Sequence, residues 1–368
     1  MACAPLSVRL SGCKYLSSAP ATSTRQSCPT HFQRSSFCCA AIIATHCALH
    51  QPHNRRKAKK TLLTGMGAVF GRSDVEEIQT YFRGKIIWVT GASGGFGEAL
   101  CVALCQSSQP EALLISARRN EELQRVRSKC IELSPSVKVG VVPMDLEDTS
   151  SLPGVAKTAK ALFGRVDILV NNGGVGFRGL GQETSIDVDQ RVMNIDFFGG
   201  VALVKALLPD WLDRQTGHVV QVSSVQGFFG LPGRTAYAAA KHAAVGFYDS
   251  LRAEVAENGV SVTTVCPGYI ATGHSQNALR GEGVKYPEGH TSKGVRPELL
   301  APKVLAAVAR RKPELVPAAL DARLARVLRT CCPSLLFWIM KRRARKEARE
   351  RSAATEPDNA AIESKKLS

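Results

Sequence analysis

Short, uninterrupted apolar runs alternate with longer amphipathic stretches through the middle of this chain. Residues 85–90 (KIIWVT), 112–116, 137–143, 167–171, 218–222 and 260–266 are rich in β-branched and aliphatic side chains, and a last short run falls near Leu315. Continuous rather than alternating hydrophobicity predicts strands buried on both faces. Between them, residues 95–107, 120–132, 150–163, 186–213 and 235–258 place apolar side chains at helical intervals with charges opposite. This alternation predicts an α/β protein built on a doubly wound parallel sheet. Right-handed crossovers then leave the carboxyl ends of the strands on one edge, where open sheets bind ligands.

The pattern fades at both ends and divides the 368 residues into three parts. Residues 1–73 lack periodicity and hold ten Lys or Arg and no acid, as a targeting or disordered leader would. Residues 74–319 form a single catalytic domain, and residues 320–368 an apolar and basic C-terminal extension. The formal net charge of +17 sits mostly in the ends, since residues 341–351 add seven basic side chains against two acidic ones. No folded basic face with groove-reading elements is visible, which excludes nucleic acid as a partner. Residues 37–49 are mildly apolar but well short of the ~20 residues that span a bilayer. Six of the twelve cysteines lie in the leader and the others show no paired C-x-x-C spacing, so no metal site and no disulfide framework are expected.

The candidate chemistry begins where the first strand meets the first helix. There Thr90-Gly91-Ala92-Ser93-Gly94-Gly95-Phe96-Gly97 removes side chains from a strand-to-helix turn, so that a pyrophosphate can approach backbone N–H groups and the positive helix end. A glycine cluster alone is also an ordinary turn. What decides is the order of separate signals: Asn171-Asn172-Gly173-Gly174 after the fourth strand, Asn194 in the next helix, Ser223-Ser224 after the fifth strand, Tyr237-Ala238-Ala239-Ala240-Lys241, then Pro267-Gly268. Tyr237 and Lys241 are one turn apart on a helix and share a face, so the ammonium stabilises the phenolate that a proton-transferring tyrosine must form.

In this combination, residues 84–319 resemble the short-chain dehydrogenase/reductases, which implies a Rossmann fold and hydride transfer between a nicotinamide and a carbonyl or alcohol. The resemblance implies a catalytic set of Asn194, which would order a proton-relay water, Ser224, Tyr237 and Lys241. It implies cofactor contacts from Gly91, Ser93, Gly95, Phe96, Gly97, Asp145, Leu146, Asn172, Gly173, Tyr237, Lys241, Pro267, Gly268, Ile270 and Thr272. At the end of the second strand, where an acid would bind the ribose of NAD, the chain has Ser116-Ala117-Arg118-Arg119. Arg118 can pair with a 2′-phosphate, which points to NADPH/NADP+. The chain departs from the family at Gly94, Gly173 and Ala240, none of which removes a reactive group.

Residues 274–296 are polar and glycine-interrupted and read as a substrate lid; Arg280, Lys285 and His290 lie in it. After it, residues 320–340 are apolar, are interrupted by Pro333, and end in Lys341-Arg342-Arg343-Ala344-Arg345-Lys346. Two readings of this end stay open: interfacial attachment to anionic lipid, and packing within a homo-oligomer. Its sequence, with Tyr269-Ile270, resembles the dehydrogenase/reductase SDR family member 7B branch, which is related to acyl-dihydroxyacetone-phosphate reductase. That branch implies a lipid-like ketone as substrate, with association to endoplasmic reticulum or peroxisomal membrane. The acid-free leader points instead to plastid or mitochondrion. The alternative to an enzyme is a catalytically silent NADP(H)-binding sensor or scaffold.

Overall fold

Seven parallel strands make one sheet in the order β3-β2-β1-β4-β5-β6-β7. They are β1 Ile86–Thr90, β2 Ala112–Ser116, β3 Lys138–Val141, β4 Ile168–Asn171, β5 Gly217–Val222, β6 Val260–Val265 and β7 Glu314–Leu315. The computed structural model describes residues 72–273, 278–281 and 294–366, with side chains described from 74 to 350 within those ranges. All belong to one compact unit, Met66–Ser368. The leader up to residue 71 and most of the expected lid, including Lys285 and His290, lie outside the described residues.

Alternating strand residues feed two cores, which is why β1 and β2 run apolar at nearly every position. Ile87 and Val89 face a cluster with α1 (Arg72–Phe82), α2 (Gly95–Ser107), α3 (Asn120–Leu133) and α8 (Pro297–Ala309). Ile86 and Trp88 face the other cluster, with α4 (Leu152–Phe163), α6 (Gly199–Asp213) and α7 (Thr235–Glu254). The sheet is therefore covered on both sides, as parallel sheets require. Strand order reverses between β1 and β4, and the registers Thr90↔Ser116, Asn171↔Gln221 and Val222↔Val265 align the carboxyl ends along one edge.

Three features differ from the sequence reading. The boundary at 73/74 falls inside α1, which starts at Arg72 and buries Ile78 and Phe82. The helix expected over 186–213 is continuous but contains a π turn, Asn194–Phe198, between α5 (Ile186–Met193) and α6. Pro333 ends one helix and opens another. α9 (Leu320–Cys331) stops at Cys332, and α10 (Pro333–Lys366) takes the proline at its first position, where no backbone N–H is needed. Residues 186–213 are also the one helix among the described residues long and apolar enough to cross a membrane. It lies inside the domain, with Leu203, Val204, Leu207 and Trp211 fully buried in the sheet core.

Candidate active site

The edge where strand order reverses is shaped by glycines that leave no space for a side chain. A Cβ on Gly97 would fall 2.2 Å from the Gly91 carbonyl oxygen and 2.6 Å from Asn172 Nδ2. One on Gly91, whose φ is +65°, would meet Gly173 Cα at 2.7 Å. Asn172 ties the two strands together, its backbone N–H donating to Thr90 Oγ1 at 3.0 Å and its side-chain amide to the Thr90 carbonyl at 3.0 Å. The loop thus brings backbone N–H groups to the start of α2 with glycines in place of side chains, a cradle that fits a dinucleotide pyrophosphate.

The other expected cofactor residues surround this cradle. Phe96 is buried beneath it, and Ser93 on the loop accepts a hydrogen bond from Arg119 Nη2 at 3.3 Å. Arg118 is exposed at the end of β2. Asp145 accepts the Glu147 N–H at 3.0 Å, and Leu146 comes so close to Gly173 that a Cβ there would lie 2.5 Å from it. Beyond β6, the Pro267 carbonyl accepts the Val225 N–H at 3.0 Å and the Gly268 N–H donates to the Pro317 carbonyl at 3.3 Å. The Thr272 N–H folds back on Ile270 at 2.9 Å, bringing Thr272 over the loop, 3.3 Å from where a Gly95 Cβ would stand.

Ser224, Tyr237 and Lys241 meet beside the cradle. Ser224 leaves the end of β5, where its Oγ accepts the Gln226 N–H at 3.2 Å, and its hydroxyl hydrogen-bonds Tyr237. Ser223 points elsewhere, donating to the Lys241 carbonyl at 3.2 Å and so pinning α7 to the sheet. Lys241 Nζ lies 5.3 Å from the centre of the Tyr237 ring. Burial raises the Tyr237 pKa; the Lys241 charge draws it down, a carboxylate at Asp196 pushes it up, and Ser224 and Arg234 draw it down again.

The sequence reading did not include that carboxylate; it named Asn194, as the residue that would order a proton-relay water. Asp196 Oδ2 is 3.4 Å from Lys241 Nζ, its Oδ1 accepts the Val175 N–H at 2.6 Å, and its side chain is fully buried. Asn194 opens the π turn, and its carbonyl accepts the Gly199 N–H. The i→i+5 bond advances the following residues relative to an α-helix, so Asp196 is the side chain carried towards the sheet. A signal was present in the sequence: a lone acid inside the apolar run Ile195-Asp196-Phe197-Phe198. Burial works most strongly against the Lys241 charge, but Asp196 and then Tyr237 together outweigh it and lift the lysine's pKa. Burial also lifts the Asp196 carboxyl, opposed by Lys241 and by the Val175 N–H, and the two groups sit at ion-pair distance, 3.4 Å.

The rim beyond Tyr237 is basic. Arg234 donates to the Phe177 carbonyl at 2.5 Å, and burial, then the neighbouring Arg178 charge, holds its pKa below the usual value. The extension closes in from the other side: Leu336 of α10 is buried against Val225 and Phe229, just after Ser224. Arg326 of α9 lies 4.0 Å over the Phe228 ring, and Arg343 of α10 hydrogen-bonds Tyr269.

The chain is similar to several known proteins. A family model described as short chain dehydrogenase matches residues 85–283. The dehydrogenase/reductase SDR family protein 7-like of Drosophila melanogaster is 41% identical over 280 residues, 75% of this chain and 85% of that protein. Dehydrogenase/reductase SDR family member 7B of Bos taurus is 40% identical over 296 residues, 78% of this chain and 90% of that protein. Among solved structures, a short-chain dehydrogenase from Streptomyces avermitilis superposes with a TM-score of 0.58 at 29% identity, over 71% of this chain and 99% of its own.

Proposed function

This chain belongs to the short-chain dehydrogenase/reductase family, in the branch of family member 7B and its 7-like relatives, and from that premise we propose that it is an NADPH-dependent reductase of a lipid-like ketone. As a member of the family it is a nicotinamide-dependent oxidoreductase acting on CH–OH and C=O groups of a small molecule. The observation that carries the finer reading is the pair of exposed arginines, Arg118 and Arg119, closing the second strand where an acid would select NAD, with Arg119 already bonded to the loop at Ser93.

The residues divide the work. The Ser224 and Tyr237 hydroxyls donate to the substrate carbonyl oxygen, whose growing negative charge strengthens both bonds. Tyr237 then releases its proton to that oxygen, and the Lys241 ammonium stabilises the phenolate left behind. A nicotinamide bound in the cradle supplies the hydride. The loop glycines at 91, 95 and 97 would hold the cofactor's pyrophosphate through backbone N–H groups, with Thr272 and Ile270 beside them.

A lipid-like substrate is supported by the surface of the extension that packs against the loop after Ser224. Leu320, Leu324 and Val327 recur on one exposed face of α9, and Leu335, Phe337 and Trp338 are exposed on α10. Arg329 lies over Phe337 at 5.4 Å and Arg342 over Trp338 at 3.9 Å, and Lys341 and Arg345 add to a cationic border. An apolar face with a basic border fits an interface of acyl chains and anionic headgroups. Membrane association through the extension is part of this reading.

The test is oxidation of NADPH and NADH by the full chain against acyl-dihydroxyacetone phosphate, sterol ketones and short water-soluble carbonyls, with and without vesicles containing anionic lipid. We expect NADPH to be preferred, long-chain ketones to outrun short ones, and the protein to sediment with the vesicles. Preference for NADH, or equal rates on acetone-sized carbonyls with no vesicle binding, overturns the proposal.

A further inference from the structure

Asp196 presents a charge that the architecture around it does not need. Its Oδ1 accepts the Val175 N–H at 2.6 Å, a bond that an asparagine amide oxygen would make equally well. Its Oδ2 has no hydrogen-bond partner among the described residues and faces Lys241 Nζ at 3.4 Å. The side chain is held there tightly, since a Cβ on Gly174 would fall 2.8 Å from Oδ1 and the π turn fixes the backbone. A fully buried carboxylate aimed at the catalytic lysine is costly to maintain unless its charge acts on something.

We propose that Asp196 is a positioning residue that acts through the Lys241 ammonium to set the pH at which Tyr237 ionises, and thereby biases the site towards carbonyl reduction. With tyrosine protonated, the buried trio of Tyr237, Lys241 and Asp196 is electrically neutral. Losing the tyrosine proton leaves one net negative charge on this buried trio, whereas with an amide at 196 the phenolate and ammonium would cancel. The carboxylate therefore keeps Tyr237 in the acid form that reduction uses and disfavours the phenolate that alcohol oxidation uses. The remaining groups facing the trio are the Ser224 hydroxyl, the Arg234 guanidinium with Arg178 behind it, and Cys266. Burial pushes the Cys266 thiol up to about 12, so it stays neutral.

The kinetic side of this inference rests on the reductase reading, so the deciding experiment reads ionisation without turnover. The tyrosinate ultraviolet band is titrated in the full chain and in Asp196→Asn, each as a difference against the same protein carrying Tyr237→Phe. The Tyr237 midpoint should fall by about one pH unit or more in Asp196→Asn, a tenfold gain in ionised tyrosine at fixed pH. The rising limb of kcat/KM for alcohol oxidation should move acidwards with it, while NADPH affinity stays within about twofold. A midpoint that does not move, or that rises, overturns the proposal. Asp196→Ser, which can also accept the Val175 N–H, repeats the titration if the asparagine variant does not fold. Absence of any turnover would sink the reductase reading but leave the titration result standing.

Discussion

Gly97→Ala inserts a single methyl group where the structure has no room for it. Its carbon would lie 2.2 Å from the Gly91 carbonyl oxygen and 2.6 Å from Asn172 Nδ2, against ordinary contacts of roughly 3.4 Å or more. Neither neighbour can swing away. Gly91 is backbone in a left-handed turn, and Asn172 is bonded to Thr90 at both its main-chain and side-chain nitrogens. The loop or the start of α2 must therefore shift by about 1 Å, an overpacking change of about 1–3 kcal/mol. In a domain of this size that corresponds to a fall in Tm of roughly 3–10 °C. The displaced N–H groups also lose their aim at the pyrophosphate. At about 1.5 kcal/mol for each charged hydrogen bond, losing one or two weakens NADPH binding by roughly 10- to 100-fold. The control is Gly94→Ala, three residues away in the same loop. There φ is 171° and a Cβ meets nothing within 4 Å, so stability and affinity should hold. Thermal melts and NADPH fluorescence titrations of both variants decide the matter. If Gly97→Ala matched Gly94→Ala in both, the steric account of the cradle would be wrong.

Tyr237→Phe should reduce carbonyl turnover by about 100-fold or more while NADPH affinity stays within about twofold, since it removes the proton donor and leaves the cradle intact; turnover near the parent rate would remove the tyrosine from the mechanism. Arg118→Ala combined with Arg119→Ala should shrink the preference for NADPH over NADH by about tenfold or more, read as the ratio of kcat/KM values, and an unchanged ratio would move the 2′-phosphate contact elsewhere. His218 is buried between Tyr81 Oη at 2.7 Å and Thr263 Oγ1 at 2.9 Å, and burial, then the Arg311 charge, holds its pKa at about 3 rather than 6.5. The unfolded chain binds a proton below pH 6.5 that the folded chain refuses until about 3, so this contribution to stability is complete above pH 6.5 and is lost as pH falls. The loss runs at about 1.4 kcal/mol per pH unit. Urea unfolding at pH 7.5 and 4.5 should therefore show His218→Gln losing about 2–3 kcal/mol less than the parent chain over that interval; identical losses would show that the histidine charges without penalty.

Much of this architecture is written in local sequence. Strands apolar at every position, such as Ile86-Ile87-Trp88-Val89, require a cover on both faces, and all five residues of β1 are buried. The glycines of the loop follow from a turn that admits no Cβ. Tyr237 and Lys241 share a face because four residues make about one helical turn, a relation internal to one element. The interruption at Pro333 is likewise a property of the proline ring, although the continuation of the chain as α10 on its far side was not legible. The residues from Arg72 to Phe82 gave no hint of a helix that buries Ile78 and Phe82 against the sheet, because helical spacing so short is decided by what it packs on.

The identity of the residue facing Lys241 depends on contacts that no local pattern contains. In the sequence Asn194 enters through the family resemblance, whereas Asp196 is only a lone acid in an apolar run. A π turn then reset the helix by one residue and carried the aspartate to a lysine on a different helix. The closing of α9 and α10 over the loop after Ser224 has the same origin, since Leu336 has no reason in its own helix to be buried and becomes so only against Val225 and Phe229. Backbone periodicity and turn chemistry act over a few residues and can be read from the chain. Which side chains share a buried charge is settled by packing between distant elements, where the low dielectric makes one carboxylate more or less change the chemistry of the site.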